Sequence, residues 1–231
     1  MSAAGKTIFM VVTNHSELGS TGKKTGYYLP EAAHPYHTFV AESGARVVFV
    51  SPAGGESPVD PGSVEFFGQE QACQDFLASA EVTEALKNTI SAQDADWSQC
   101  DAVFFVGGHG PLWDCVENEV LNQRVAEAYE AGKVVGAVCH GPCGLTEVKL
   151  SDGKFLVDGK EVTSFTNKEE ELVNLQEVVP FPLETRLKER NAIFSCAPEP
   201  WKEHVVVSDR LVTGQNPASA TATAKAIVAL L

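Results

Sequence analysis

The chain has 231 residues, 44% hydrophobic and 21% charged, with 19 glycines and 12 prolines, which is ordinary globular composition with length for one large α/β domain. Its 31 acidic against 17 basic side chains leave a formal net charge of −14, spread along the chain, which argues against nucleic acid or an anionic membrane as a partner. Six cysteines (Cys73, Cys100, Cys115, Cys139, Cys143, Cys196) contain no C-x-x-C pair and indicate neither a zinc framework nor a disulfide scaffold, but reduced thiols in the cytosol.

From Met1 to Lys6 there is no charged-then-apolar leader, and the next apolar run, Thr7 to Val12, is too short for one. No transmembrane segment, internal repeat or linker is predicted, so residues 1–231 are expected to form a single domain. Thr7 to Thr13 is a continuous apolar run of the kind buried on both faces of a parallel sheet. After a loop rich in Gly, Ser, Thr and Lys, Glu31 to Glu42 is predicted helical. Pro35 lies in its interior, where it kinks or restarts the helix and leaves Glu31 at a loop–helix junction. Arg46 to Val50 is the second strand, and the long loop Ser51–Ser63 with its glycines and prolines has the character of a functional loop. Gln71 to Ser91 forms one or two amphipathic helices.

Cys100 to Val106 is a third buried strand ending on Gly107-Gly108-His109-Gly110, where glycines let backbone approach a ligand and present amide donors. Val116 to Gly132 is a helix, and Lys133 to Val138 is a valine-rich strand that stops on Cys139. Small residues at Gly141 and Gly144, with Pro142 in a position that suits a first helical turn, predict a sharp strand-to-helix turn with Cys139 at its apex. This is a nucleophile elbow carrying sulfur. A helix N-terminus there stabilises a thiolate, so Cys139 is expected to titrate below the ~8.5 of a free cysteine.

Leu145 to Lys149 finishes a short helix, and Phe155 to Thr163 has the form of a hairpin turning at Asp158-Gly159. Thr166 and Glu169 fit a capping box that opens a helix through Leu175. A helical stretch comes next within Pro180–Arg190, then short strands at Ile193–Cys196, Val205–Val207 and Leu211–Gly214. Asn216-Pro217 is expected to cap a last helix, Ala218 to Leu231. The alternation of strands and helices predicts an α/β fold with a doubly wound, mostly parallel sheet.

Five segments, taken in order, resemble a known family. They are Thr25-Gly26-x-x-x-x-Glu31-Ala-x-His34-Pro35, Gly107-Gly108-His109-Gly110, Ala137-Val138-Cys139-His140-Gly141-Pro142, Phe165-Thr166-x-x-x-Glu170, and Leu211-Val212-Thr213-Gly214-x-Asn216-Pro217-Ala218-Ser219-Ala220. Together they are similar to the ThiJ/PfpI superfamily, and within it to the branch of small chaperones with glutathione-independent glyoxalase (glyoxalase III) activity. The resemblance implies a flavodoxin-like three-layer sandwich, usually dimeric. It also implies a site of Cys139 as nucleophile, His140 as its partner, Glu31 facing the sulfur and Glu170 orienting the histidine.

Plainer readings stand beside these. His140 could be an ordinary helix-start residue, Glu31 a first-turn acid, and any of Glu169, Glu170 and Glu171 a structural helix-start charge. Gly108 and His109 could form an oxyanion site, or the glycines only allow a turn. Cys143 faces Cys139 at helical spacing, either as a resolving thiol or as small-residue packing. Glu31, His34 and His37 could ligate a metal, but Pro35 spoils their helical register and no metal is expected. The expected chemistry is attack of Cys139 on the aldehyde carbon of a 2-oxoaldehyde such as methylglyoxal, then proton transfer through an enediol and hydrolysis to a 2-hydroxy acid, without metal, glutathione or nucleotide. A holdase chaperone and a cysteine peptidase or amidohydrolase are the alternatives on the same fold.

Overall fold

Runs of Val, Ile and Phe without polar alternation need cover on both faces. The structure, a computed structural model that describes residues 2–231, provides it; Met1, with which the leader reading begins, lies outside the described residues. The first half of the chain forms β1 (Thr7–Val11), α1 (Leu29–His37), β2 (Arg46–Ser51), α2 (Pro61–Phe67), α3 (Gln71–Ala78), α4 (Ala80–Lys87), β3 (Ile90–Ser91) and β4 (Ala102–Phe105). The second half forms α5 (Pro111–Asp114), α6 (Glu119–Glu130), β5 (Val134–Val138), β6 (Glu161–Val162), α7 (Asn167–Leu172), α8 (Leu183–Glu189), β7 (Ile193–Phe194), β8 (Val205–Ser208), β9 (Leu211–Gly214) and α9 (Ala220–Leu230).

The main sheet runs β3-β2-β1-β4-β5-β9-β8, parallel except where β8 meets β9. Alternate residues face opposite layers. Phe9, Val11, Val103, Phe105, Val135 and Ala137 pack under α6 through Leu121, Val125 and Tyr129. Ile8, Met10, Phe104, Val134 and Val138 pack against Leu29 of α1, Phe76 of α3 and Ile227 of α9. Each large side chain so buried contributes about 1.5–3 kcal/mol. This is the expected flavodoxin-like three-layer sandwich, with β5 buried at every position.

The chain leaves β1 to build β2 on one side and returns to lay β4 on the other. Where strand order reverses in this way, the loops at the carboxyl ends part and leave a crevice. The segments after β1, β4 and β5 therefore deliver Glu31, Gly107–Gly110 and Cys139 to one place.

Several local expectations are corrected. Residues 155–163 make no hairpin: β6 pairs in parallel with β7, and Gly159 donates to Asn191 O (3.0 Å), so Asp158-Gly159 turns the chain toward another strand. Pro35 does not break α1, which continues to His37 before widening into a π-helical turn at Thr38–Glu42. Glu31 owes its place to the helix start at Leu29-Pro30, which sets it in the first turn. The helix expected over Val116–Gly132 is α6, which begins later, at Glu119 under the Asn118 cap, and a separate short helix, α5, precedes it. Gly141–Leu145 is a 3₁₀ turn, and α7 stops at Leu172 rather than Leu175. Asn216 makes no side-chain cap for the final helix; its amide is drawn to Glu169 Oε1 instead (2.8 Å).

Candidate active site

Cys139 sits directly after β5 with φ 60°, the left-handed region that a residue bearing a Cβ enters at a cost of about 1–2 kcal/mol. Both of its backbone groups are tied down: its N–H donates to Gly214 O (2.9 Å) and its carbonyl accepts from Phe165 N (2.8 Å). The surroundings thus impose the apex conformation. Gly141 and Gly144 are required in the next turn, because a Cβ on either would run into Phe105.

His140 turns its Nδ1 to the Cys139 sulfur at 3.5 Å, and its Nε2 donates to Glu170 Oε2 at 2.6 Å. The other Glu170 oxygen accepts from His109 Nε2 at 2.8 Å. One carboxylate therefore bridges two imidazoles. Burial works against its charge, but His140 and His109 hold Glu170 well below the usual carboxylate range. Burial, with His109 alongside, pushes His140 down, so its imidazole is neutral at pH 7. With an ionised acceptor at Nε2, the proton resides there and the lone pair of Nδ1 faces the sulfur. Phe165 lies over the His140 ring at 4.5 Å between centroids and limits its rotation.

Glu31 comes to the far side of the sulfur from the first turn of α1. It is fully buried, and neither carboxyl oxygen has a hydrogen-bond partner of good geometry; the Cys139 sulfur and the Gly107 amide are the polar groups it faces. Burial raises it well above the ordinary carboxylate range and so favours its protonated form. The Gly107 Cα–H leaves room for this: a Cβ there would collide with Glu31 Oε2 and Cys139 Cβ. The thiol differs from expectation. Cys139 is 4% exposed, and burial above all pushes it up, against the pull of the Gly108 amide toward the thiolate. The resting sulfur is a protonated thiol, and forming the nucleophile requires a base.

The structure thus brings together Cys139, His140, Glu31, Glu170, Gly108 and His109. His109 is oriented by Glu170, not aimed as a free oxyanion donor, and the Gly108 amide serves the sulfur. Glu31, His34 and His37 do not converge, since His37 lies 3.6 Å from Glu42 Oε1. Three donor atoms of His109, His140 and Glu170 lie within 4.8 Å of one another, but they are already matched with each other.

Sequence reasoning saw Glu169 only as a capping-box acid; it is buried and accepts five hydrogen bonds. Its Oε1 takes Trp201 N, Gln215 Nε2 and Asn216 Nδ2 at 2.8–3.0 Å; its Oε2 takes the N–H and hydroxyl of Thr166 at 2.9–3.0 Å. The capping box is a visible signal for the last two. Above the sulfur opens a cavity of about 360 Å³, lined by Tyr28, Phe66, Phe165, Leu175 and Trp201 with Lys23 and Lys24 at its rim. Among the described residues, no helix is long and apolar enough to cross a membrane.

This chain shares its construction with proteins already characterised. It is 33% identical to Glyoxalase 3 of Candida albicans over 96% of this chain and 97% of that protein. It is 32% identical to Glutathione-independent glyoxalase HSP31 of Saccharomyces cerevisiae over 96% of each. Among solved structures, it superposes on Rapid Encystment Protein 24 KDa of Francisella tularensis with TM-score 0.92 and 40% identity, covering 97% of this chain and 98% of that one. On glyoxalase III from Candida albicans the TM-score is 0.88 with 29% identity and 98% of both chains covered. The sequence pattern of the DJ-1/PfpI family spans residues 25–230, nearly the whole sheet and every residue around the sulfur, and the chain belongs to that family.

Proposed function

We propose that this chain, acting as one domain over residues 1–231, is a glutathione-independent glyoxalase that converts methylglyoxal and related 2-oxoaldehydes to 2-hydroxy acids, D-lactate in the case of methylglyoxal. The observation that carries the reading is the Cys139 sulfur set between a neutral imidazole at 3.5 Å and a protonated, otherwise unpartnered Glu31. Relatives named as glutathione-independent glyoxalases over their full length support it.

In this reading His140 Nδ1 takes the thiol proton as sulfur attacks the aldehyde carbon, and returns it to the resulting oxygen as a hemithioacetal forms. His140 then removes the hydrogen from that carbon while Glu31 gives its proton to the neighbouring carbonyl oxygen, producing an enediol. Protonation of the second carbon by His140, with the first hydroxyl proton returning to Glu31, leaves a thioester. Water releases the hydroxy acid and regenerates the thiol. Glu170 stabilises the transient imidazolium, and the Gly108 amide the developing charge near sulfur.

The deciding assay incubates the purified chain with methylglyoxal and no added thiol, and resolves lactate by enantiomer. D-lactate formation is expected; an absolute requirement for glutathione overturns the proposal. A holdase role is a second reading, favoured by the exposed Phe66 (78%), Val173 and Trp201 around the mouth. Cys139→Ala then still suppresses aggregation of a heated client while losing turnover. The proposed setting is the cytosol and the proposed assembly a homodimer, which sedimentation tests directly.

A further inference from the structure

A second cluster of ligating side chains lies where α1 packs on α3. His34 stands on α1 one turn after Glu31, while Glu70 and Cys73, three residues apart, occupy the start of α3. His34 Nε2 is 2.9 Å from Glu70 Oε2, and one ligand atom from each of the three residues lies within 4.8 Å of the other two. Cys73 is a free, fully buried thiol, the His34 side chain is partly covered, and Glu70 is on the solvent side. Glu70 holds the cap position of α3 but makes no cap bond with its side chain, which reaches across to His34 instead.

We propose that His34, Glu70 and Cys73 form a site for a divalent cation of the zinc class, with water in a fourth position. One imidazole nitrogen, one carboxylate oxygen and one sulfur make a tetrahedral donor set that suits a borderline-soft ion and not the oxygen-seeking Mg²⁺ or Ca²⁺. Around zinc such atoms stand about 3.3–3.6 Å apart, so the imidazole and carboxylate open by a few tenths of an ångström and the sulfur closes by up to about one. Side-chain rotation alone supplies displacements of that size. The thiol proton is released to solvent as the sulfur–metal bond forms. The cation ties α3 to α1 one turn beyond Glu31, bracing the helix that holds that acid beside the Cys139 sulfur.

Cobalt is the probe, because thiolate–cobalt bonding is directly visible. Reduced, metal-stripped full-length protein is titrated with Co²⁺. One equivalent is expected to produce a near-ultraviolet thiolate-to-cobalt band and the strong visible absorption of four-coordinate cobalt, both displaced by Zn²⁺. Both features persist in Cys139→Ala, the charge-transfer band is lost in Cys73→Ser, and Glu70→Gln weakens affinity by about tenfold or more. No band in the wild type overturns the proposal, as does a band that survives Cys73→Ser or disappears in Cys139→Ala, which places the metal at the elbow sulfur. Should Cys73→Ser fail to fold, the exposed-side variants decide: unchanged cobalt affinity in both Glu70→Gln and His34→Gln overturns the site.

Discussion

Three buried glutamates surround one sulfur, and they are built in opposite ways. Glu169 and Glu170 are saturated with donors, five hydrogen bonds on one and two histidines on the other. Glu31, fully buried on the other side of Cys139, has neither oxygen hydrogen-bonded. The same side chain is therefore an anion in one corner and an acid in the other, because desolvation prevails at Glu31 whereas donors outweigh it at Glu170. A reaction that moves protons both onto and off adjacent carbons needs this asymmetry.

The largest effect is expected from removing the group both corners serve. Cys139→Ala lowers methylglyoxal turnover by about 10³-fold or more while thermal unfolding stays close to wild type, measured by lactate release and calorimetry. Turnover within tenfold of wild type removes the sulfur from the chemistry. Next comes the donor-rich corner. Glu170→Gln sets an amide N–H against a histidine N–H, so turnover falls by about 10²-fold or more and stability by about 1–3 kcal/mol at pH 7. Since the folded-state pKa of Glu170 is lowered, its contribution is present above the unfolded value of about 4.3 and lost as pH falls below it. The stability gap between variant and wild type should close in acid.

Glu31→Gln tests the opposite slope. Burial raises the folded-state pKa of Glu31, so wild type loses stability as pH rises from about 4.3 toward that value, whereas glutamine does not titrate. The variant is expected to melt about 3 °C above wild type at pH 8, with a smaller advantage at pH 5, and to turn over about 10²-fold more slowly. Equal melting at both pH values makes Glu31 an ordinary solvated acid. Glu169→Gln acts through position only: it costs about 1–3 kcal/mol and lowers kcat without moving the pH–rate profile. The smallest effect belongs to the rim, where Phe66→Ala leaves stability within about 0.5 kcal/mol and raises KM only for bulkier aldehydes.

Much of this arrangement can be read from residues alone, for identifiable reasons. The strands around Phe9, Phe104 and Val135 announce themselves because a doubly covered strand tolerates no polar position, and the elbow because small residues come after a buried cysteine. The Thr166–Glu169 capping box is local and equally visible. The bridging of His109 and His140 by Glu170 spans 61 and 30 residues, and no local pattern encodes it. Asp158-Gly159 misleads because a turn dipeptide records that the chain bends, not which strand receives it; β6 waits for β7, far along the chain. A helix start would acidify the thiol, yet the segment after Cys139 is only a short 3₁₀ turn, and burial prevails.

The left-handed backbone at residue 139 has a consequence for how such a protein drifts. Glycine enters that conformation freely, and the greater freedom it gives the unfolded chain offsets only part of the relief, about 0.5–1 kcal/mol against about 1–2. Cys139→Gly should therefore fold about as well as wild type while doing no chemistry. A library screened for folding or heat resistance alone would have no reason to keep the sulfur, and only a screen for aldehyde survival would hold it at the apex.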